Sequence, residues 1–167
     1  ESLVMAGQII KRAMKISGTK IFPVDSEHSA IWQCLVGEKN EDIKKIILTG
    51  SGGPFRNRSL NTFNNISVDE ALKHPNWSMG KKITIDSATM MNKCLEVIEA
   101  YWLFEIEPNS IDIIIHPQSI VHSMVEFNDG SIKAQLGVPD MKVPIQYALT
   151  YPSHLKSSWE RLDLFKC

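Results

Sequence analysis

The stretch Ile43-Lys-Lys-Ile-Ile-Leu-Thr-Gly-Ser-Gly-Gly-Pro54 decides the fold class of this chain. Residues 43–48 predict a strand, and its largely apolar character indicates that both of its faces are covered. The run Gly50-Ser51-Gly52-Gly53-Pro54 then ends the strand, because neither a helix nor a strand tolerates such a cluster. Its N–H groups could form an anion-binding nest, although a tight turn explains the glycines equally well.

The segments on either side of this strand complete an α/β pattern. Helices are predicted over residues 1–16, 29–36, 67–73 (opened by the capping box Ser67-Val-Asp-Glu70), 88–104 (with Asp86 or Ser87 as N-cap) and 142–150. Further strands are predicted over residues 20–24, 82–85, 111–115, 120–127 and 131–136. The last two flank Asn128-Asp129-Gly130, a strong hairpin signal. This order predicts an α/β (α+β-like) fold: a mixed sheet with flanking helices and a C-terminal antiparallel hairpin.

Composition narrows the class of protein. The 167 residues, 43% of them apolar, suit one domain or one domain plus part of another. A net charge of −1 gives no electrostatic argument for nucleic acid or an anionic membrane surface. Three scattered cysteines fit a reducing compartment rather than a disulfide framework. Because the chain begins with Glu and stops at Cys167, we expect a fragment whose true N-terminus is missing.

Asp25-Ser26-Glu27 lies directly behind the apolar run Ile21-Phe22-Pro23-Val24. Burying two bare carboxylates there would cost roughly several kcal/mol per ion unless a cation compensates their charge. A third carboxylate, Glu96, follows in a later helical segment. The simplest shared partner is a hard divalent metal with oxygen ligands.

The segment from Ser87 to Glu96 carries a second candidate site. If the helix begins at Ala88, Ser87 lies at its N-terminus, where a phosphate would be favoured. Asn92 and Lys93 share a helix face with Glu96, so this face offers donors for an anion and a ligand for a cation. An ordinary solvated face with a Lys93–Glu96 ion pair is the alternative.

The loop from His74 to Gly80 contains aromatic and titratable side chains. His74 precedes Pro75 and is expected to point into a cleft, while Trp77 and Met79 lie on a loop too short to bury them locally. They either cover a ligand as a lid or pack on a neighbouring domain. Among the other histidines, a structural role is expected for His28 rather than metal ligation. His116 and His122 are expected at the surface or in an interface.

Six segments occur in one order along the chain and together carry a family resemblance. They are Glu1-Ser-Leu-Val-Met-Ala-Gly7, Pro23-Val-Asp-Ser-Glu-His-Ser-Ala30, Ser51-Gly-Gly-Pro-Phe-Arg56, His74-Pro-Asn-Trp-Ser-Met-Gly80, Asp86-Ser-Ala-Thr-Met-Met-Asn-Lys93 and His116-Pro-Gln-Ser119. The chain closely resembles the 1-deoxy-D-xylulose 5-phosphate reductoisomerase family, NADPH-dependent enzymes of the non-mevalonate isoprenoid pathway. The resemblance covers essentially the whole chain.

The resemblance implies a role for each matching position. Asp25, Glu27 and Glu96 would hold Mg²⁺ or Mn²⁺, and Ser26 would contact the substrate beside the metal. The phosphate would be bound by Ser51, Ser87, Asn92 and Lys93, with His74 also lining the substrate site. Trp77 and Met79 would belong to a lid, and Glu1 and Gly80 would contact the nicotinamide cofactor.

The resemblance also implies a domain organisation. Residues 1–18 would be the tail end of the NADPH-binding domain with a linker helix. Residues 19–150 would form the catalytic, metal- and substrate-binding domain, with a dimerisation hairpin at 119–137. Residues 151–167 would begin the connection to a missing C-terminal helical domain.

The N-terminal dinucleotide half and the substrate-binding Lys that precedes Glu1 in the family are absent. Cys94 replaces the usual Gly, and its side chain is expected to crowd the helix beside Glu96.

The expected activity of the whole protein is the conversion of 1-deoxy-D-xylulose 5-phosphate to 2-C-methyl-D-erythritol 4-phosphate, by metal-assisted isomerisation and then reduction by NADPH. Two alternatives are a metal-dependent phosphosugar isomerase or lyase without a redox step, and a non-catalytic dimerisation module. The expected partners are a sugar phosphate and a second copy in a homodimer, because the hairpin carries more apolar residues than one face needs. Neither nucleic acid nor membrane is expected. The location would be the bacterial cytoplasm, or a plastid-type organelle in a eukaryote.

Overall fold

A computed structural model describes residues 1–75 and 77–167. Its α-helices are α1 (Ser2–Ser17), α2 (Ser26–Cys34), α3 (Val68–Ala71), α4 (Lys81–Ala88), α5 (Met91–Phe104) and α6 (Lys142–Thr150). Its strands are β1 (Ile43–Gly50), β2 (Ile111–Ile115), β3 (Val121–Phe127) and β4 (Ile132–Leu136). No helix in the described ranges is both long enough and apolar enough to cross a membrane.

The four strands form one mixed sheet in the order β2-β1-β3-β4. β1 pairs with β2 in parallel, with Ile46 opposite Ile111, and with β3 in antiparallel, with Ile46 opposite Val125. β3 and β4 form the predicted hairpin. The α/β fold with a mixed sheet is therefore confirmed. β1 is an inner strand of the sheet. Residues 51–54, called the glycine-rich loop below, follow directly at its C-terminal end.

The core forms where β1 and β3 meet α2 and α5. Ile31 of α2 and Ala100 of α5 are fully buried against Leu48 and Val125 of the two central strands. Residues 46–50 of β1 are all buried, which confirms that both faces of this strand are covered. This packing brings the first turn of α2 and the first turns of α5 to the same end of β1.

Two predicted strands are wrong. Residues 20–24 form no strand; instead the ring of Phe22 stacks on Trp32 with ring centroids 5.0 Å apart and also contacts Tyr151. The apolar run is therefore used for aromatic packing rather than for sheet pairing. Residues 82–85 lie within helix α4, so the β-branched run Ile83-Thr84-Ile85 adopts the helical conformation against its local preference.

The long helix predicted over 88–104 begins later than predicted, at Met91, and a separate helix precedes it. α4 ends at Ala88 and α5 begins at Met91, with Met90 between them in the left-handed region at φ 61°. Asp86 and Ser87 consequently lie inside α4 and cap no helix. α2 starts at Ser26, earlier than predicted, because Asp25 serves as its N-cap and accepts a hydrogen bond from the N–H of Glu27 at 3.1 Å. The capping box of α3 and the bounds of α6 are as predicted.

Candidate active site

Three carboxylates converge at the junction of α2 and α5. Asp25 and Glu27 come from the N-cap and first turn of α2, and Glu96 comes from α5. One oxygen from each lies within 4.8 Å of the other two. Glu96 is almost completely buried, with 1% of its surface exposed. The fold thus brings together the three acidic residues that the sequence singled out.

Lys93 lies among these carboxylates. Its Nζ is 2.9 Å from Glu27 Oε1 and 2.7 Å from Glu96 Oε2, and it donates a hydrogen bond to the carbonyl oxygen of Thr49 at 2.7 Å. Burial alone would lower the pKa of Lys93, but the charges of Glu27 and Glu96 raise it above its ordinary value. The lysine is therefore a buried, charged partner of the acidic cluster rather than half of a solvated surface pair.

One ammonium does not balance three carboxylates. Burial, followed by the negative charge of Glu27, raises the pKa values of both Asp25 and Glu96. Burial acts in the same direction on Glu27, but Lys93 and hydrogen bonds from Asp25 and Ser26 lower its pKa to about 2. A divalent cation would supply the missing positive charge, and an all-oxygen donor set is what Mg²⁺ and Mn²⁺ prefer. The residues present therefore fit such a metal.

Glu96 is held in place by its neighbours. Asn92 Nδ2 donates a hydrogen bond to Glu96 Oε1. His28, which is 1% exposed, contacts the main-chain oxygen of Glu96 through Nε2 at 2.9 Å. This buried contact agrees with the structural role expected for His28. Cys94 is expected from the sequence to crowd the helix, but its side chain is exposed and does not do so. Glu96 remains close to Asp25 and Glu27.

A hydrogen-bonded loop forms at the end of β1. Ser51 Oγ accepts a hydrogen bond from the N–H of Gly53 at 3.1 Å and lies 3.1 Å from His74 Nε2. The N–H of Trp77 donates to His74 Nδ1 at 3.0 Å, so Nδ1 is unprotonated and Nε2 carries the ring hydrogen. Burial, together with the charge of Arg56, lowers the pKa of His74 and favours this neutral form.

The glycine-rich loop packs tightly against α4. A Cβ on Gly53 would lie 2.7 Å from the carbonyl oxygen of Ser87, and the φ of Gly53 is +68°. Only glycine fits both conditions without strain. Ser87 is the second-last residue of α4, so it lies at the C-terminal end of that helix. The predicted placement of Ser87 at a helix N-terminus is wrong. Its contact with the cavity comes from this loop packing.

The residues around the carboxylates and those of the Ser51–His74 loop contact both face one cavity of about 220 Å³. Most of the predicted site residues line it: Asp25, Ser26, Glu27, Ser51, His74, Trp77, Met79, Ser87, Asn92 and Lys93. Glu96 is buried beside Lys93. Glu1 and Gly80 are not among the described lining residues; the side chain of Glu1 contacts Lys82, two residues after Gly80, at the start of α4.

His122 is the main site residue that sequence reasoning placed wrongly. It is 8% exposed and lines the cavity, with its ring centroid 6.4 Å from that of Trp77. Burial lowers its pKa. His116 is partly buried as well and accepts a hydrogen bond from the N–H of Ile120 at 3.1 Å. The sequence contained one signal for the burial of His122. This residue lies at the start of a predicted hairpin strand, and that strand would have to pair with β1.

Comparison with known proteins places this cavity in a family. The model of the 1-deoxy-D-xylulose 5-phosphate reductoisomerase C-terminal domain matches residues 21–104, which is half of the chain and contains all three carboxylates. The chain belongs to the 1-deoxy-D-xylulose 5-phosphate reductoisomerase family. A second model of this family, the DXP reductoisomerase C-terminal domain, matches residues 136–167.

Individual members of the reductoisomerase family are similar over the whole chain. The protein of that name from Chloroherpeton thalassium is 66% identical over 98% of this chain and 42% of its own length. The one from Ruminiclostridium cellulolyticum is 60% identical over 100% and 44%. The chain thus spans less than half the length of these relatives.

Solved reductoisomerase structures have the same fold. A DOX-P reductoisomerase in complex with NADPH, fosmidomycin and magnesium superposes with a TM-score of 0.94 at 52% identity, over 100% of this chain and 43% of that one. The Zymomonas mobilis enzyme in complex with NADPH gives 0.90 at 48% identity, over 99% and 42%.

Proposed function

We propose that the protein converts 1-deoxy-D-xylulose 5-phosphate to 2-C-methyl-D-erythritol 4-phosphate with NADPH, and that this chain supplies the metal and substrate sites. The observation that carries the proposal is the convergence of Asp25, Glu27 and Glu96 within 4.8 Å, beside a cavity that also holds Ser51 and Lys93. Membership of the reductoisomerase family supports it, as does the solved relative that contains NADPH, fosmidomycin and magnesium.

Asp25, Glu27 and Glu96 would hold a Mg²⁺ or Mn²⁺ ion through their carboxylate oxygens. Bound there, the ion would supply Lewis-acid polarisation of the substrate's carbonyl and hydroxyl oxygens. Ser26 lies between two of the ligands and lines the cavity, so its hydroxyl is placed to contact substrate beside them. Its Oγ donates to Glu27 Oε2 at 2.6 Å, which orients that ligand.

Ser51, Ser87, Asn92 and Lys93 would bind the substrate phosphate in the same cavity. His74 orients the Ser51 hydroxyl through the 3.1 Å contact with Nε2, and it would itself line the substrate site. An anchored phosphate supplies binding energy that positions the reacting carbons without taking part in the chemistry.

Trp77 and Met79 would form a lid over the substrate. Both already line the cavity, and the Trp77 N–H is tied to His74. A closed lid excludes water from an aldehyde intermediate before reduction. NADPH, when bound, supplies the hydride for that step. Glu1 and Gly80, near the start of α4, would contact this nicotinamide cofactor.

The organisation expected from the sequence belongs to this proposal. Residues 1–18 would lead from the nucleotide domain, residues 19–150 would form the catalytic domain, and residues 151–167 would lead to a further helical domain.

We also propose a homodimer. β3 is an inner strand, so Val125 and Phe127 are needed for the core. The exposed Ile132 and Leu136 of edge strand β4 remain as the apolar surface for a second copy. The bacterial relatives support a cytoplasmic location.

The test is the substitution Glu96→Gln in the intact protein. It removes one metal ligand with little change in volume and should abolish metal-dependent turnover and weaken Mn²⁺ binding by at least tenfold in calorimetry. Glu126→Gln is the matched control, because Glu126 pairs with Lys45 on the strand surface and does not line the cavity. Near-normal turnover of the Glu96 variant would contradict the proposal.

A further inference from the structure

The Lys93 ammonium is enclosed by oxygens of the acidic cluster and of β1. Nζ donates hydrogen bonds to Glu27 Oε1 at 2.9 Å and to the carbonyl oxygen of Thr49 at 2.7 Å, and it forms an ion pair with Glu96 Oε2 at 2.7 Å. The side chain is 7% exposed. In this arrangement the observed hydrogen bonds of Lys93 go to Glu27 and Thr49 and none to the hydroxyls of Ser51 or Ser87, among the residues that the structure describes.

The path of the Lys93 side chain is set by Gly50. A Cβ on Gly50 would lie 3.0 Å from Lys93 Cε and 3.6 Å from Nζ, so the stem crosses the end of β1 closely. The next residue is Ser51, which lines the same cavity as Lys93. The stem of Lys93 therefore passes beside the residue that directly precedes Ser51.

Two proposed roles then compete for the same atoms. Glu27 and Glu96 are proposed metal ligands, yet their oxygens already contact the Lys93 ammonium. Lys93 is a proposed phosphate ligand, yet its ammonium already donates hydrogen bonds to Glu27 and to Thr49. A dication and an ammonium that share these oxygens would repel each other strongly in a site with little water.

We propose that Lys93 is a displaceable internal counter-ion that occupies the carboxylate site until a divalent metal binds. Metal binding releases the ammonium towards Ser51 and Ser87, where it becomes available to the substrate phosphate. Metal and phosphate therefore bind with positive coupling, and by thermodynamic linkage each strengthens the other. This inference rests on the proposed function, since it takes both ligands from it.

The test compares melting temperatures of the intact protein with and without saturating Mg²⁺. Lys93→Met leaves the buried carboxylates without their cation, so the metal-free variant should melt roughly 5–15 °C lower than the wild type. With Mg²⁺ bound, the loss should shrink to a third or less. Lys45→Met is the control, because Lys45 also pairs with two carboxylates, Asp112 and Glu126, but away from the cavity. Its small loss should not depend on Mg²⁺.

Gly50→Ala is a second variant that keeps the lysine charge. Its Cβ would push the Lys93 stem, so it should also destabilise the metal-free protein more than the Mg²⁺-bound one. Calorimetry with inorganic phosphate gives a readout independent of folding. Mg²⁺ should tighten phosphate binding to the wild type at least tenfold, and the effect should fall below threefold in the Lys93→Met variant.

The outcomes separate this inference from the proposed function. Equal melting losses with and without Mg²⁺, or equal tightening of phosphate binding in both proteins, would show that Lys93 is a fixed part of the site and would overturn the displacement alone. A wild type whose melting temperature does not respond to Mg²⁺ or Mn²⁺ would overturn the proposed metal site, and the displacement with it.

Discussion

His28 Nε2 donates a hydrogen bond to the main-chain oxygen of Glu96 across 2.9 Å, which ties helix α2 to helix α5 in the buried interior. A carbonyl oxygen only accepts, so Nε2 carries a ring hydrogen. Burial lowers the pKa of His28 and favours the neutral ring, whose Nδ1 lies 3.7 Å from Asp25 Oδ1. This one contact joins the helix that carries two of the carboxylates to the helix that carries the third. The mutual placement of the acidic cluster therefore depends on a neutral, buried imidazole.

The acidic cluster should make the metal-free protein less stable as the pH rises above the usual pKa values of its carboxyl groups. The pKa values of Asp25 and Glu96 are raised above their usual 3.8 and 4.5. Their contribution to stability is therefore complete below those usual values and is lost as the pH rises through the folded-state values. Asp25→Asn removes one charge but retains an N-cap side chain. We expect the metal-free variant to melt about 2–6 °C higher than the wild type at pH 8.

The same variant should bind Mn²⁺ more weakly, so its advantage should reverse when the metal is present. Melting curves at pH 5 and pH 8, each with a chelator or with Mn²⁺, measure both effects. Asp25→Ala is the comparison, since it removes the charge and the cap together and should gain less. A lower melting temperature of metal-free Asp25→Asn at pH 8 would show that the cluster is not electrostatically strained.

The loop from residue 74 should loosen in acid. His74 Nδ1 accepts the Trp77 N–H at 3.0 Å, and protonation of that nitrogen would break the contact. Because the pKa of His74 is lowered, its contribution to stability is present above the usual 6.5 and is lost as the pH falls through the folded-state value. Acrylamide quenching of Trp77, taken as the difference between wild type and Trp77→Phe, should increase between pH 7 and pH 5.

His74→Gln should remove this pH step, because the variant has no titrating group at that position. The quenching difference should then be the same at both pH values. A step that persists in the variant would assign the acid sensitivity to another group, such as His122, whose pKa is also lowered by burial.

Gly53→Ala should be costly because two effects add. The backbone is left-handed at φ +68°, which costs an L-residue roughly 1–2 kcal/mol, and the new Cβ would meet the Ser87 oxygen, adding roughly 1–3 kcal/mol. Gly37→Ala is a matched control: its φ is +81°, but a Cβ there has nothing within 4 Å. Denaturant unfolding should therefore show a larger loss for Gly53, and phosphate binding should weaken only in that variant. Equal losses would mean that the contact with α4 is not tight.

The proposed dimer should depend on edge strand β4. Ile132 is 54% exposed there, and Ile132→Lys places a charge on the edge that a second copy would cover. Sedimentation should show at least tenfold weaker self-association. Ile113→Lys tests the opposite edge strand, β2, where Ile113 is 42% exposed. If only the Ile113 variant dissociates, the dimer uses the β2 edge; if the wild type is monomeric, no dimer forms.

The sequence by itself determined those features that depend on neighbouring residues. The β3–β4 hairpin follows from alternation around Asn128-Asp129-Gly130, and the capping box of α3 follows from the Ser67–Glu70 spacing. The acidic pair Asp25 and Glu27 was visible because two carboxylates behind an apolar run need a cation. Each of these signals lies within a few residues, where backbone geometry and local charge are sufficient to read it.

Only the tertiary structure decided the features that depend on distant partners. Ile83-Thr84-Ile85 prefers a strand locally, yet it is helical because α4 packs beside α5 and the glycine-rich loop. His122 is buried because β3 lies inside the sheet, and Lys93 is enclosed because Glu27 and Thr49, 66 and 44 residues away, reach the same point. The physical reason is that burial and electrostatic pairing are set by which segments pack together, and that packing overrides local preference.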